Sequence, residues 1–229
     1  MRWIKNTVKI QILVAVGILF LAAAVLSAQQ GNQPYTVVLD AAHGGIDSGA
    51  RLQPGLDEKT FTLNLATSLE TQLQAHSIPV TLTRNADVDI SGDARAESMN
   101  HAQAAACLSL HATASGNGMH LFTSALPQGV DPGVQRSFLA WKTAQSNLIQ
   151  QSLRLESEVN TALEHEQILV LMGRTMLMPL ESATCPAIVV EVAPRDASTP
   201  VTDAKYQQQI VDALVTALTA WSTDWRMQP

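Results

Sequence analysis

The segment VVLDAAHGGIDSGA, Val37–Ala50, shows the pattern from which the fold can be predicted. It begins with a continuous aliphatic run, Val37–Leu39, which predicts a strand buried on both faces. Asp40 follows, and the chain then reaches His43 and a turn at Gly44-Gly45, where glycine permits positive φ or a close backbone approach. His43 is therefore expected at the carboxyl end of a buried strand, the edge at which open α/β sheets bind ligands.

Strand and helix patterns alternate along the chain from Tyr35 onward. Further strands are predicted over 78–84, 106–111, 119–125 and 186–192, and helices over 58–76, 94–104, 144–165 and 206–221. The 144–165 segment has a mostly apolar stripe at helical spacing, formed by Ile149, Leu153, Glu156, Val159 and Leu163. This alternation is typical of an α/β fold with three α/β/α layers, in which a mostly parallel sheet is flanked by helices.

The first 28 residues differ in kind from the rest of the chain. They begin with a basic segment, MRWIKNTVKI, and continue as an apolar run that ends in small residues, which predicts a secretory signal peptide. The run is also nearly long enough to span a bilayer, so an uncleaved N-terminal membrane anchor is the second interpretation. Residues 29–34 are predicted to be a linker and 35–225 a folded domain. Both interpretations predict an exported protein of the periplasm or cell envelope.

Composition narrows the class of partner. The chain has 229 residues, of which 46% are hydrophobic, and a formal net charge of -6, so it can form one domain with its own core. A net acidic chain without a basic patch excludes nucleic acid as the expected partner.

Cys107 and Cys185 each precede or begin a predicted strand. In an oxidising compartment they could pair, and otherwise they are two small buried apolar residues; the sequence leaves both alternatives open.

Four residues have side chains and positions suited to metal binding or proton transfer. His43 and His111 end predicted strands, Glu191 lies within the buried run PAIVVEV, and Glu58 stands where a helix begins. Each has an ordinary structural explanation, such as a hydrogen-bonded histidine, a first-turn acid that suits the helix dipole, or a buried ion pair. Together, two histidines and a carboxylate make the open three-ligand zinc site of hydrolases, and a further glutamate can act as general base.

The remaining histidines are predicted to lie in helical or loop segments, at the surface or in supporting roles, and they are His76, His101, His120 and His165. Three further polar residues are predicted either to orient loops around the site or to form ordinary surface ion pairs, and they are Asp40, Arg84 and Arg95.

An ordered set of motifs resembles the zinc-dependent N-acetylmuramoyl-L-alanine amidases of bacterial cell walls. That family has an Asp-x-Gly-His-Gly-Gly start, a Glu-Lys before a helix, a Thr-Arg-x-x-Asp after the second strand, a Ser-Ile-His-Ala stretch and a Pro-Ala-Val-Leu-Val-Glu strand. The corresponding segments here are Asp40 to Gly45, Glu58-Lys59, Thr83-Arg84 with Asp87, Ser109 to Ala112, and PAIVVEV, and the chain also offers Arg95 followed by Asn100. The order is kept from Val37 to the final helix.

The resemblance implies an amidase catalytic domain over 35–225, with zinc held by His43, Glu58 and His111 and with Glu191 as the catalytic glutamate. It implies hydrolysis of the amide between N-acetylmuramic acid and L-alanine, so that the expected partner is the glycan and stem peptide of peptidoglycan. Any protein activator is unknown from the sequence.

Two departures from the family pattern leave alternatives open. Ala42 replaces the glycine usual before the histidine, and the segment after Glu191 reads Ala193-Pro194-Arg195-Asp196 instead of Gly-Phe-Leu-Ser-Asn. The second segment is expected to line the substrate side of the cleft. The alternatives are a catalytically silent relative that binds peptidoglycan or regulates another hydrolase, and a zinc amidase that acts on another exported peptide.

Overall fold

The computed structural model describes residues 35–129, 141–176 and 178–226. The predicted signal or anchor segment and its linker lie outside these residues. Within them, none of the helices has the length and apolar character needed to cross a membrane.

The described residues form eight strands and four α-helices. The strands are β1 Val37–Ala41, β2 Arg51–Gln53, β3 Leu56–Asp57, β4 Val80–Leu82, β5 Ala106–Ala112, β6 Met119–Ser124, β7 Val170–Thr175 and β8 Ala187–Val192. The helices are α1 Glu58–Ala75, α2 Gly92–His101, α3 Ile149–His165 and α4 Ala204–Arg226. Two 3-10 segments, Trp141–Asn147 and Leu180–Ser182, lie before α3 and before β8.

Six strands form one sheet in the order β4-β1-β5-β8-β6-β7, and β2 and β3 form a separate antiparallel pair. Every neighbouring pair in the larger sheet is parallel except β6 and β8. The predicted α/β architecture with a mostly parallel sheet is confirmed. The antiparallel β6–β8 pair means that the beginning of β6 lies at the same edge of the sheet as the end of β8.

Side chains alternate between the two faces of the sheet, as strand geometry requires. On one face, here called the core face, Leu108 and Leu110 of β5 pack with apolar residues of α1, α3 and α4. Trp221 of α4 is fully buried there, and its indole N–H donates to the carbonyl of Ala105 at 2.9 Å. Burial of this aliphatic and aromatic surface is the main stabilising contribution to the fold.

The other face, here called the site face, has a smaller apolar cluster under α2 and the Leu180–Ser182 turn. Met99 and Val38 belong to it, and so do Cys107 and Cys185. The two cysteines form a disulfide, with their Cα atoms 6.1 Å apart, and both are buried. Of the two alternatives that the sequence left open, the structure therefore contains the paired one.

Some elements differ from the sequence-based predictions, among them the short pair β2 and β3, which was not predicted. The prediction omitted β7, because β7 is an edge strand whose Leu171 and Met172 are more than half exposed and give no buried apolar run. The helix predicted from 144 begins at Ile149, since the residues before it form the 3-10 segment. Its buried stripe uses Leu155 where the prediction placed Leu153.

Candidate metal centre

His43 follows β1 in a turn that aims its ring at the start of α1. Its backbone has φ of 63°, a left-handed conformation that histidine adopts more readily than most residues. The Nε2 atom lies 3.1 Å from Oε2 of Glu58, and Nδ1 lies 2.8 Å from a carboxylate oxygen of Asp47. A carboxylate on Nδ1 fixes the orientation of the ring and directs Nε2 toward the centre. Ala42 does not have positive φ, so the departure from glycine at that position causes no strain.

Glu58 is the first residue of α1, and its carboxylate lies between the two histidines. Oε1 accepts the amide N–H of Ala112 at 3.0 Å and contacts Nδ1 of His111 at 2.9 Å. Oε2 accepts the amide N–H of Ala50 at 2.9 Å in addition to its contact with His43. The carboxylate is therefore buried with each oxygen partnered, which is the condition for keeping a charge in a protein interior.

Gly49 makes room for this arrangement. A Cβ at this position would lie 2.6 Å from both Oε2 of Glu58 and Cδ2 of His43, and its φ of 64° is unfavourable for other residues. Any side chain here would displace the carboxylate or the imidazole.

The predicted ligand residues are brought together. Donor atoms of His43, Glu58 and His111 all lie within 4.8 Å of one another, and no other such cluster of metal-binding side chains exists in the described part of the chain. Two imidazole nitrogens and one carboxylate oxygen are a donor set suited to a transition metal such as zinc.

The protonation of the cluster follows from its contacts. Burial alone would raise the pKa of Glu58, but hydrogen bonds from His111, His43 and two backbone amides outweigh it and hold that pKa well below the usual range. The hydrogen bond to Glu58, opposed by burial, raises the pKa of His43. Glu58 is therefore ionised at neutral pH, and because a metal binds only a neutral imidazole, the raised pKa of His43 makes a proton a competitor for any metal there.

A buried ion pair holds the backbone that carries His43. Nη1 of Arg95 lies 2.7 Å from Oδ1 of Asp40, and both residues are almost fully buried. Arg95 also donates to the carbonyls of Ala41 and His43, at 2.7 and 2.6 Å. The second carboxylate oxygen of Asp40 accepts the hydroxyl of Ser109 at 2.8 Å. Of the two alternatives for Asp40 and Arg95, the loop-orienting role fits these contacts and a surface ion pair does not.

The Glu-Lys and Thr-Arg-x-x-Asp motifs stabilise the same turn. Arg84 donates to the carbonyls of Ala41 and Ala42, at 2.8 and 2.9 Å, and its burial lowers its pKa. Lys59 donates to the carbonyl of Gly45 at 2.8 Å and pairs with Asp87 at 2.7 Å, and Asp87 accepts the Gly45 amide. These residues therefore hold the backbone around His43 from two further sides.

Glu191 lies beside the cluster of His43, Glu58 and His111 on the site face. It is on β8 in register with His111 of β5, so the two side chains are neighbours on adjacent parallel strands. Its side chain is 28% exposed, and Oε2 lies 2.6 Å from Nδ1 of His120. A partly exposed carboxylate next to a three-ligand cluster has the placement that a general base requires.

His120 was missed by the sequence analysis. The prediction grouped it with the histidines of helical or loop segments and gave it a supporting role at most, although a strand was predicted over 119–125. It lies in that strand, β6, in register with Glu191. By the rule that ligands bind at the carboxyl ends of parallel strands, the second residue of a strand is not a candidate for a functional site. His120 reaches the site because β6 runs antiparallel to β8.

The segment after Glu191 is directed toward the helices. The guanidinium of Arg195 lies 6.0 Å from the ring centroid of Tyr206, and Nη1 donates to Gln209 of α4 at 2.7 Å. Ala193 is buried, and its carbonyl accepts the hydroxyl of Tyr206 at 3.1 Å. The side chain of Arg195 therefore packs on α4, and the expectation that the segment Ala193-Pro194-Arg195-Asp196 lines the substrate side of the cleft stays a prediction.

Solved structures share this fold. The apo form of Ami1 from Mycobacterium abscessus, an N-acetylmuramyl-L-alanine amidase, matches with a TM-score of 0.66 at 21% identity, over 82% of this chain and 98% of that one. N-acetylmuramoyl-L-alanine amidase AmiC2 of Nostoc punctiforme matches with a TM-score of 0.64 at 23% identity, over 84% and 99%.

Sequence comparison gives the family. N-acetylmuramoyl-L-alanine amidase AmiC of Neisseria meningitidis serogroup B is 33% identical over 102 residues, which cover 42% of this chain and 24% of AmiC. AmiA of Escherichia coli K12 is 36% identical over 85 residues, which cover 37% of this chain and 29% of AmiA. The match thus spans less than a third of either relative. The model of the N-acetylmuramoyl-L-alanine amidase family, Amidase_3, matches residues 37–220, and the chain therefore belongs to this family.

Proposed function

We propose that this chain is a zinc-dependent amidase that hydrolyses the bond between N-acetylmuramic acid and L-alanine in peptidoglycan. The observation that carries the proposal is the convergence of His43, Glu58 and His111 beside Glu191, which the register of β5 and β8 places next to His111. Membership of the amidase family supports the substrate class.

The donor set fits zinc. Glu58 is ionised, Nε2 of His43 and Nδ1 of His111 both face its carboxylate, and Asp47 orients His43 from behind. Three protein ligands leave a position open, as catalytic zinc sites do. When bound, zinc supplies a Lewis acid that polarises the scissile carbonyl and acidifies water.

The reaction requires two proton transfers, and both are assigned to Glu191. Glu191 first takes a proton from the attacking water, so that the water oxygen can bond to the lactyl carbonyl carbon. It then returns that proton to the nitrogen of L-alanine as the carbon–nitrogen bond breaks, which releases the stem peptide with a free amine. Asp40, Arg84 and Arg95 hold the His43 turn throughout, through the carbonyl contacts described above.

An exported location fits the disulfide. A pair such as Cys107–Cys185 persists in oxidising compartments and is rare in the cytosol. Together with the predicted signal peptide or anchor, this supports action at the cell envelope or periplasm, on peptidoglycan glycan and stem peptide.

The decisive experiment is mass spectrometry of purified peptidoglycan after incubation with the purified chain, with and without a zinc chelator. Release of stem peptides with a free L-alanine amine, abolished by the chelator and restored by added zinc, is the expected result. A zinc-loaded protein that releases no peptide would instead favour a silent binding relative or another exported substrate. The Glu191→Gln variant is the control for contaminating hydrolases.

A further inference from the structure

His120 makes a short hydrogen bond with the proposed general base. Its Nδ1 lies 2.6 Å from Oε2 of Glu191, and the two side chains are 13% and 28% exposed. Residues His111, Glu191 and His120 form one row across β5, β8 and β6, since each is in register with the next. The carboxylate of Glu191 thus has the metal cluster on one side and the imidazole on the other.

The opposite edge of the His120 ring, which carries Nε2, is buried in the protein. Nε2 is buried and has no hydrogen-bond partner. Gly116 lies against this edge, because a Cβ at Gly116 would be 2.7 Å from Cε1 and 3.0 Å from Nε2 of the ring. A buried N–H without a partner would cost more than a buried bare nitrogen in this position. The proton of a neutral His120 therefore belongs on Nδ1, from which it is donated to Glu191.

The carboxylate of Glu191 is consequently asymmetric. Oε2 is occupied by His120, whereas Oε1 makes no hydrogen bond within the described part of the chain. We propose that His120 is a positioning residue for the hydrolysis proposed above: it holds Oε2 and leaves Oε1 as the oxygen that exchanges the proton. In this step the water O–H bond breaks as the Oε1–H bond forms, and Oε1–H later breaks as the N–H bond of the leaving amine forms.

A pair of substitutions of nearly equal shape separates this role from packing. Asn can place its amide N–H close to the position of Nδ1, whereas Leu has a similar shape and no donor. We expect His120→Leu to lower kcat at least about tenfold with KM and zinc content unchanged, because misplacing a catalytic group slows the chemical step. His120→Asn should stay within about threefold of wild type. His101→Leu, at an exposed histidine of α2, is the matched control and should leave kcat unchanged.

A double-mutant cycle tests whether His120 acts through Glu191. In a Glu191→Gln background, His120→Leu should cause no further loss of turnover, because the group that His120 positions no longer acts as a base. Equal loss in the Leu and Asn variants, or losses that multiply in the double variant, would overturn the proposal.

A readout independent of turnover separates this proposal from the proposed function. Two-bond ¹⁵N–¹H NMR spectra of the zinc-loaded wild type should show His120 protonated on Nδ1, with ring signals that shift in Glu191→Gln. A ring protonated on Nε2 alone would contradict the hydrogen bond. If wild-type protein failed to cleave peptidoglycan while these spectra showed the bond, the amidase assignment would fail and the His120–Glu191 contact would stand.

Gly116 offers a test that keeps both side chains. Gly116→Ala should displace the ring and lower kcat, and Gly55→Ala is its matched control. The two glycines have φ of 85° and 82°, but a Cβ at Gly55 would have no atom within 4 Å. Both variants therefore bear similar backbone strain, and equal kcat in the two would contradict a confined ring at His120.

Discussion

The two faces of the central sheet carry different kinds of residue from the same strands. Along β5, Leu108 and Leu110 enter the core face under three helices, while Ser109 and His111 point to the site face. In β8, Val190 is on the core face and Glu191 on the site face. The core face holds the larger apolar cluster, which stabilises the domain. The site face holds, beside its smaller apolar cluster, polar groups that bond to one another or are partly exposed. Substitutions one residue apart should therefore have separable effects.

The largest expected effect comes from the neighbours Leu110 and His111. His111→Ala should abolish zinc binding and hydrolysis, since one of three ligands is lost, with a smaller loss of stability. Leu110→Ala should lower the free energy of unfolding by about 3 kcal/mol and leave the zinc content of the folded protein unchanged. Metal analysis and urea unfolding measure the two quantities. Zinc retained in His111→Ala would refute its role as a ligand.

Replacing Glu191 by glutamine should slow hydrolysis by about 10²–10⁴-fold while zinc stays bound, because only the proton-transfer group is removed. Steady-state release of stem peptide and the zinc content of the same sample check both parts. Val190→Ala, on the core face of the same strand, is the control and should change stability rather than turnover. Full activity in Glu191→Gln would remove this residue from the mechanism.

The disulfide should be the largest covalent contribution to stability on the site face. Replacing Cys107 and Cys185 by alanine should lower the free energy of unfolding by about 4 kcal/mol, since the bridge joins positions 78 residues apart. Urea unfolding of the variant, compared with oxidised and fully reduced wild type, measures this. A variant as stable as the oxidised wild type would show that the bridge adds nothing.

The smallest expected effect concerns Glu156, a carboxyl group on a helix that otherwise packs apolar residues on the core face. It lies on the buried stripe of α3, Oε1 has no partner, and burial, partly opposed by Arg174, raises its pKa to about 7. The raised pKa is that of the folded protein, whereas the unfolded chain keeps the ordinary pKa of 4.5. At low pH the carboxyl is neutral in both states and costs the folded protein no charge burial. The free energy of unfolding therefore falls as pH rises from about 4.5 toward 7.

Glu156→Gln should therefore be more stable than wild type above pH 7 by on the order of 2 kcal/mol, and nearly equal to it at pH 4. Urea unfolding at the two pH values measures the difference, and Glu158→Gln on the same helix is the control. A gain that is the same at both pH values would contradict the assignment to Glu156.

Much of the site could be predicted because its residues lie in local patterns. His43 and His111 each end an apolar run, Glu58 stands where an apolar-striped helix begins, and Glu191 interrupts a buried strand. Such positions depend on burial and periodicity along a few residues, which a sequence displays directly. The same patterns predicted the sheet and the helices on both of its faces.

His120 and the disulfide could not be predicted with the same means. His120 is the second residue of its strand, and only the reversed direction of β6 places it beside Glu191. Cys107 and Cys185 meet because β5 and β8 are neighbours, whereas strand order is a long-range property that no local segment encodes. Edge strand β7 was missed for a related reason, since an edge strand has a partner on one side and exposes apolar residues.

The sequence by itself therefore determined the α/β class, the four residues proposed for metal binding and proton transfer, and the family resemblance, because burial patterns and motif order are local. The tertiary structure alone decided which side chains share the site face, that Asp40 and Arg95 form a buried pair, and that His120 completes the row with Glu191. Those facts follow from strand order, direction and register, which are set by packing of segments far apart in the chain.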